Sequence, residues 1–182
     1  LMEDDNLTEK QMEEIAKTHQ TLENITRMNK SLLLLCKIEN GQYADVKEIC
    51  VNSLLEQYIE TFGEIYGYKN INVVYSPEST FMLEMNESLS VMMVTNLLKN
   101  AFVHNADGGD IVVKVSGRGF SVASSGDMAL DSSQIFTRFY QGSKKEGSTG
   151  LGLALVNTIC KAAGLKISYD FNEKMHIFSI SK

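Results

Sequence analysis

The chain has 182 residues, of which 43% are hydrophobic and 22% are charged, and its formal net charge is −6. This composition is typical of a globular protein, and the acidic balance argues against a nucleic-acid partner, because nucleic-acid affinity comes largely from neutralising phosphates with basic residues. The longest wholly apolar run is five residues, at 32–36, far below the roughly 20 residues that span a bilayer. We therefore expect no membrane segment in this chain.

The first residue and the cysteines also limit what the chain can be. Because the sequence begins with Leu1 and not with Met, we expect a fragment or a processed product. The cysteines Cys36, Cys50 and Cys160 show no metal-ligand spacing and lie among apolar neighbours. We expect them to be buried, reduced structural thiols, which favours a cytoplasmic location.

Residues 7–39 are predicted to form one long polar helix, which stops at Asn40 and Gly41. A heptad-like stripe runs along it, with Ile15, Leu22, Asn29 and Cys36 seven positions apart and Ile25 and Leu32 in a second seam. Such a stripe needs a partner helix to bury it. The alternative interpretation is an ordinary amphipathic helix that packs on its own domain.

Beyond this helix, short strands and helices alternate. The periodicity predicts strands at 45–51, 71–75, 80–84, 110–116, 119–123, 165–171 and 174–180, and helices at 53–66, 86–104 and 151–163. The strands at 71–75 and 80–84 are expected to join across Ser76 and Pro77. This order predicts an α+β fold, a two-layer sandwich of a mixed sheet with about three helices on one face, preceded by the long helix.

Two polar patterns within these elements carry candidate chemistry. Asn96, Asn100 and His104 are spaced by four and therefore share one helix face. Amide oxygens one turn apart can help to hold Mg²⁺, whose shell is completed by waters and phosphates. The same spacing also fits capping or surface groups, so by itself it leaves both interpretations open.

A second pattern lies at a loop-to-helix junction, where Gly150 and Gly152 let the backbone approach a ligand and a helix start favours phosphate. It is not a Walker loop, because no Gly-Lys-Ser/Thr follows, and no strand precedes it as in a dinucleotide fold. Between the two patterns, Phe136 and Phe139 stand in a Ser/Gly/Lys-rich stretch at 125–149. They predict either a hydrophobic anchor for the loop or a hinged lid, and the two interpretations are compatible.

In order and spacing, these motifs resemble the sensor histidine kinases, whose catalytic domain belongs to the gyrase-like ATPase superfamily. Residues 96–105 are similar to that family's Asn-containing motif, 136–139 to its phenylalanine motif and 148–153 to its second glycine motif. Residues 7–43 resemble the second helix of its dimerisation and phosphoacceptor hairpin. The resemblance implies a partial hairpin at 1–43 and an ATP-binding catalytic domain at 44–182, with a lid at 125–149.

The resemblance also implies roles for individual residues. Asn100 would coordinate Mg²⁺ with support from Asn96, and His104 would lie near the phosphates of ATP. The other residues implied to bind ATP are Gly150, Leu151, Gly152 and Leu153 around the phosphates, Ser124 and Gly126 in the first glycine motif, and Lys144 or Lys145 as a source of positive charge. Phe136 and Phe139 would anchor the lid.

In such kinases the γ-phosphoryl of ATP passes to a histidine on the first hairpin helix and then to an aspartate of a response-regulator receiver domain. The resemblance thus implies a receiver-domain partner and, in the intact protein, a homodimer built on a four-helix bundle. The family's His-Glu acceptor motif is absent, since His19 is followed by Gln20. We expect the acceptor upstream of Leu1, in a protein that can be anchored in a membrane with this portion in the cytoplasm.

Several positions depart from the family pattern. Ser124 stands where Asp or Asn usually reads adenine, Met128 where a second glycine is usual, Gln141 where Arg is frequent, and Ser148 where the second motif usually begins with glycine. They keep open an alternative, a degenerate non-catalytic module that dimerises and binds a regulator or acts as a phosphatase. A compact anti-sigma serine kinase is a third interpretation, against which the long heptad-patterned helix argues.

Overall fold

The computed structural model describes residues 8–142 and 149–182, and the predicted elements occur with shifted ends. The helices are α1 (Glu9–Glu39), α2 (Val51–Ile65), α3 (Glu87–His104) and α4 (Gly152–Ala162), with a 3₁₀ turn at Gly67–Lys69. The strands are β1 (Lys47–Cys50), β2 (Asn72–Pro77), β3 (Met82–Met85), β4 (Asp110–Ser116), β5 (Gly119–Ser125), β6 (Lys166–Asn172) and β7 (Met175–Ser181). Within this described part, no helix is long and apolar enough to cross a membrane.

The main sheet is mixed, which confirms the predicted α+β fold. Its strand order is β2-β4-β5-β7-β6, with β2 parallel to β4 and the other neighbours antiparallel. The expectation that the strands at 71–75 and 80–84 join across Ser76 and Pro77 was wrong, because both residues belong to β2. β2 runs through Pro77 at a sheet edge, where a missing N–H is tolerated, and α3 crosses over to the parallel β4, while β3 pairs with β1 in a separate ribbon.

α3 is the central helix of the helical layer. It packs against α2, α4 and β5, and the sheet meets the layer through inward-facing residues that alternate along the strands, such as Val113 on β4 and Val122 on β5. Asn86 caps α3 by accepting from the amides of Ser88 and Leu89. The position of α3 fixes the Asn-bearing face next to the start of α4.

α1 packs on its own domain at its C-terminal end and leaves its apolar stripe exposed further towards its N-terminus, so each of the two interpretations fits a different part of the helix. Its last turns bury Leu35 and Ile38 and pack against α4. Cys36 in these turns is exposed and Cys50 is half-buried, so the expectation of three buried cysteines holds only for Cys160. The heptad-like stripe stays open along much of its length, with Leu22 58% and Ile25 57% exposed. At about 100° per residue, Leu22 and Leu35 point about 140° apart, so the contact with α4 cannot cover the stripe.

Candidate functional site

The first component of the site is the polar face of α3. Asn96 and Asn100 are half-buried, and His104 is exposed at the last helical position. The Asn96 side chain donates through Nδ2 to the carbonyl oxygen of Met92 at 2.7 Å. This bond fixes the amide and leaves its Oδ1 turned towards the start of α4.

Gly152, the first residue of α4, meets this face directly. A Cβ atom at Gly152 would lie 2.9 Å from Asn96 Oδ1 and 4.0 Å from Asn100 Nδ2. The first contact is too short for an ordinary side chain, so the absence of a Cβ lets the two motifs approach. The structure therefore brings together two motifs that lie far apart in the sequence.

The start of α4 is suited to an anion. The N-cap residue, Leu151, makes no capping hydrogen bond with its side chain, and the first amides of a helix have no partner within the helix. Leu151 is buried and Leu153 is half-buried, and both pack in or against the core. They hold the turn in place while its backbone faces the polar face of α3.

Gly150 joins the glycine turn to the phenylalanine segment. Its φ is +66°, and a Cβ there would lie 2.6 Å from the carbonyl carbon of Phe139. The amide of Phe139 donates to the carbonyl oxygen of Gly150 at 2.9 Å. Phe136 packs its ring edge-on against Phe178, whereas the Phe139 ring is 50% exposed, so Phe136 anchors this segment by its side chain and Phe139 by its backbone.

The predicted lid begins at the end of β5, and residues 126–142 form turns without helix or strand. The amide of Leu130 donates to the Tyr169 hydroxyl at 2.9 Å, which ties this segment to β6. Arg138 forms an exposed ion pair with Glu39, the last residue of α1; an exposed pair of this kind contributes little stability. Lys144, Lys145 and Ser148, three further residues named from the sequence, lie outside the described residues.

Ser124 and Gly126 mark the other end of the site. Ser124 is buried on the inner face of β5, opposite His176 on β7. A Cβ at Gly126 would lie 2.1 Å from Nε2 of His176, so this ring fills the space beside the first glycine motif. Met128 and Gln141, which depart from the family pattern, are both exposed.

His176 and Tyr169 form a hydrogen-bonded pair that the sequence analysis missed. Tyr169 Oη lies 2.9 Å from His176 Nδ1. Burial raises the pKa of Tyr169, which keeps its hydroxyl protonated, and burial lowers the pKa of His176. The hydroxyl also accepts from the amide of Leu130, and where it donates to Nδ1 the neutral ring carries its proton on Nε2. The sequence pattern gave no signal for this pair, because Tyr169 and His176 lie on different strands, β6 and β7.

The arrangement fits a phosphate ligand with a hard cation. One side offers amide oxygens of a fixed helix face, and the other offers a helix N-terminus with glycines that allow close approach. The family of histidine kinase-, DNA gyrase B- and HSP90-like ATPases matches residues 85–180. The chain belongs to this ATPase family. The matched range includes α3, the glycine turn and α4, which are the elements that form the site.

Comparisons with individual proteins agree with the resemblance to sensor histidine kinases and confirm it. The heme sensor protein HssS of Staphylococcus saprophyticus is 30% identical over 162 residues, which cover 85% of this chain and 34% of HssS. The chain spans about a third of the length of the curated relatives it matches.

Two solved structures show that the fold is shared. Full-length ShkA in complex with AMPPNP matches 98% of this chain and 40% of its own, with a TM-score of 0.74 and 22% identity. Histidine kinase ThkA in complex with the response regulator TrrA matches 99% of this chain and 53% of its own, with a TM-score of 0.69 and 21% identity. The predicted sandwich and the long helix before it are therefore those of histidine kinases.

Proposed function

We propose that the chain is the ATP-binding catalytic portion of a two-component sensor histidine kinase. It binds ATP with Mg²⁺ and donates the γ-phosphoryl to a histidine outside this chain, from which it passes to a response-regulator aspartate. The observation that carries the proposal is the contact of Gly152 with Asn96 and Asn100. It joins a cation-holding face to a phosphate-binding turn, and phosphoryl transfer depends mainly on such positioning and charge neutralisation.

At the phosphate end, each residue has a separate task. Asn100, supported by Asn96, presents amide oxygen to Mg²⁺, which neutralises phosphate charge when it is bound. Gly150 and Gly152 let the backbone amides before and within α4 reach the phosphates, while Leu151 and Leu153 hold that turn. His104 lies one turn beyond Asn100 on the same face, and Lys144 or Lys145 supplies positive charge.

At the base end, Ser124 and Gly126 border the nucleobase. A buried hydroxyl both donates and accepts hydrogen bonds, so Ser124 can pair with adenine, although more weakly than a carboxylate would. The segment at 126–142 is tied at Leu130, Phe136 and Phe139. In this proposal, residues 125–149 form the lid over ATP, and these contacts attach its described part to the domain.

The exposed stripe of α1 supports the proposed homodimer. Leu22 and Ile25 lie on a face that the catalytic domain does not cover, and a second hairpin helix with its symmetry mate would bury it. A receiver-domain partner is supported by ThkA, a neighbour in fold whose structure contains a response regulator. We place the chain in the cytoplasmic part of the intact protein, with the acceptor histidine before Leu1.

A calorimetric titration tests this function. The chain is titrated with the β,γ-imido analogue of ATP, with and without Mg²⁺, alongside Asn100→Ala. We expect Mg²⁺ to raise the affinity of the wild-type chain for the analogue, and we expect no such increase in affinity for Asn100→Ala. Asn24→Ala is the matched control, because Asn24 is also half-buried and helical but lies on α1.

No binding by the folded wild-type chain would contradict the proposal. It would support the degenerate module, with Ser124 and Gln141 as the first positions to restore. Asp at position 124 would then be expected to raise the affinity strongly.

A further inference from the structure

Lys69 is a nearly buried lysine at the end of the 3₁₀ turn between α2 and β2. Its exposed fraction is 9%. The Nζ atom donates to the carbonyl oxygens of Phe102 at 3.0 Å, Val103 at 3.0 Å and Asn105 at 3.1 Å. An ammonium has three N–H donors, so these carbonyls can accept all of them.

The three carbonyls lie at the C-terminal end of α3. The last carbonyls of a helix have no partner within the helix, and they form the negative end of its dipole. A buried ammonium donates hydrogen bonds to these carbonyls and also balances the negative end of the dipole. Such charge-assisted hydrogen bonds are stronger than neutral ones. Lys69 therefore closes α3 from a neighbouring segment of the chain.

The backbone around Lys69 strengthens this connection. The carbonyl oxygen of Lys69 accepts from the amide of Gly108 at 2.7 Å, and the amide of Asn72 donates to the carbonyl oxygen of Gly109 at 2.9 Å. The chain segment before β2 is thus bonded to both the last turn of α3 and the loop that follows it. A substitution of Lys69 should therefore alter the position of the last turn of α3 before that of other elements.

The last turn of α3 bears directly on the proposed metal site. His104 lies between two of the carbonyls that Lys69 binds, and Asn100 lies one turn earlier on the same face. We propose that Lys69 is a positioning residue for the metal-bound nucleotide, which holds the end of α3 so that Asn100 keeps its place beside the glycine turn and His104 its place one turn further on the same helix face. This inference rests on the proposed function. It adds Lys69, which is not among the residues proposed to contact the nucleotide.

The test separates positioning from general stability. Lys69→Met keeps an unbranched side chain of similar length but has no donor. We expect about a tenfold loss of affinity for the β,γ-imido ATP analogue in the presence of Mg²⁺ and no loss beyond twofold without it, because Asn100 acts on the nucleotide through Mg²⁺. Lys69→Arg, which keeps a charged donor, should recover most of the affinity, and Lys166→Met, an exposed lysine of β6, should bind like the wild type.

Two results would overturn the inference. One is a folded Lys69→Met with wild-type affinity in Mg²⁺, and the other is an equal loss with and without Mg²⁺, which a purely structural role predicts. If the wild type itself does not bind, the proposed function fails, and this inference with it. If Lys69→Met does not fold, Lys69→Arg and Lys69→Gln decide: a higher affinity for Arg in Mg²⁺ supports positioning, and equal affinities contradict it.

Discussion

α3 and α1 are both long helices, yet they relate to the domain in opposite ways. α3 has 18 residues, of which eight are buried, and it packs against α2, α4 and β5. α1 has 31 residues, of which only Leu35 and Ile38 are buried. The polar face of α3 meets the start of α4 at Gly152, whereas α1 leaves Leu22 and Ile25 of its apolar stripe exposed.

This difference in packing separates nucleotide binding, which we assign to the domain itself, from dimerisation, which needs a second chain. Among the described residues, the proposed nucleotide contacts come from α3 and from segments next to it in the domain. The proposed dimer contacts lie on the open stripe of α1, away from its contact with α4. We therefore expect substitutions around α3 to alter stability and nucleotide binding, and substitutions on the open stripe of α1 to leave both nearly unchanged.

The largest expected effect is a core substitution in α3. Leu97 is 1% exposed, and Leu97→Ala should lower the free energy of unfolding by roughly 2–5 kcal/mol, because it removes buried methyl groups and leaves a cavity. Leu22→Ala, on the open stripe of α1, should change it by no more than about 0.5 kcal/mol. Urea unfolding followed by circular dichroism measures both, and similar losses would mean that α1 is packed as α3 is.

A second contrast concerns two glycines with the same backbone conformation. Gly150 and Gly164 have φ of +66° and +68°, but only Gly150 has neighbours that a Cβ would meet. Gly164→Ala should lower the free energy of unfolding by roughly 1–2 kcal/mol, because alanine is strained in a left-handed backbone conformation. Gly150→Ala should cost more, because its Cβ would push Phe139 away. Equal losses in urea unfolding would contradict the close packing of the phenylalanine segment on the glycine turn.

The contact between α3 and α4 gives a third prediction, on affinity rather than stability. Gly152→Ala places a methyl group against Asn96, and we expect about tenfold weaker binding of the ATP analogue, equivalent to about 1.4 kcal/mol. Gly63→Ala in α2, where nothing lies within 4 Å of the added Cβ, should keep wild-type affinity and raise stability slightly. Titration calorimetry decides the point, and unchanged binding by Gly152→Ala would remove the main support for the site.

The smallest expected effect is a pH dependence that comes from His176. Since burial lowers its pKa in the folded chain, the unfolded chain binds a proton more readily. Stability should therefore fall as the pH drops below the ordinary histidine pKa of about 6.5 towards the lowered folded value. Above the ordinary histidine pKa the ring is neutral in both the folded and the unfolded chain, so His176 adds no pH dependence to the stability there.

Thermal unfolding of His176→Gln at pH 7.5 and 5.0 checks the sign. We expect the melting temperature of the variant to fall less than that of the wild type over this interval, because the variant lacks the buried ring whose pKa is lowered. His19→Gln is the control, since His19 is exposed on α1. A larger loss in His176→Gln than in the wild type would mean that the ring is stabilised in its charged form.

How much could be predicted from the sequence depends on whether a feature is local. The spacing of Asn96, Asn100 and His104 fixes a shared helix face by helical period alone, and the burial pattern of α3 follows from its apolar positions. The contact between Asn96 and Gly152 was implied only by the resemblance, because no local pattern relates residues so far apart. The parallel pairing of β2 with β4 was missed for the same reason.

Lys69 and Tyr169 show a second limit. A lysine in a polar turn looks solvent-exposed in the sequence, and only the fold brings three carbonyls to it. A tyrosine in a strand gives no sign that its hydroxyl will reach His176 and the amide of Leu130. Long-range hydrogen bonds to backbone atoms leave no trace in the residue pattern.

The most direct test of the account is hydrogen exchange of the chain with and without the β,γ-imido ATP analogue and Mg²⁺. The account predicts slower exchange at the amides of residues 149–153 and in the last turns of α3, and unchanged exchange in residues 9–33 of α1. Slower exchange confined to other parts of the chain, or none at 149–153 when the analogue is bound, would contradict the proposed site.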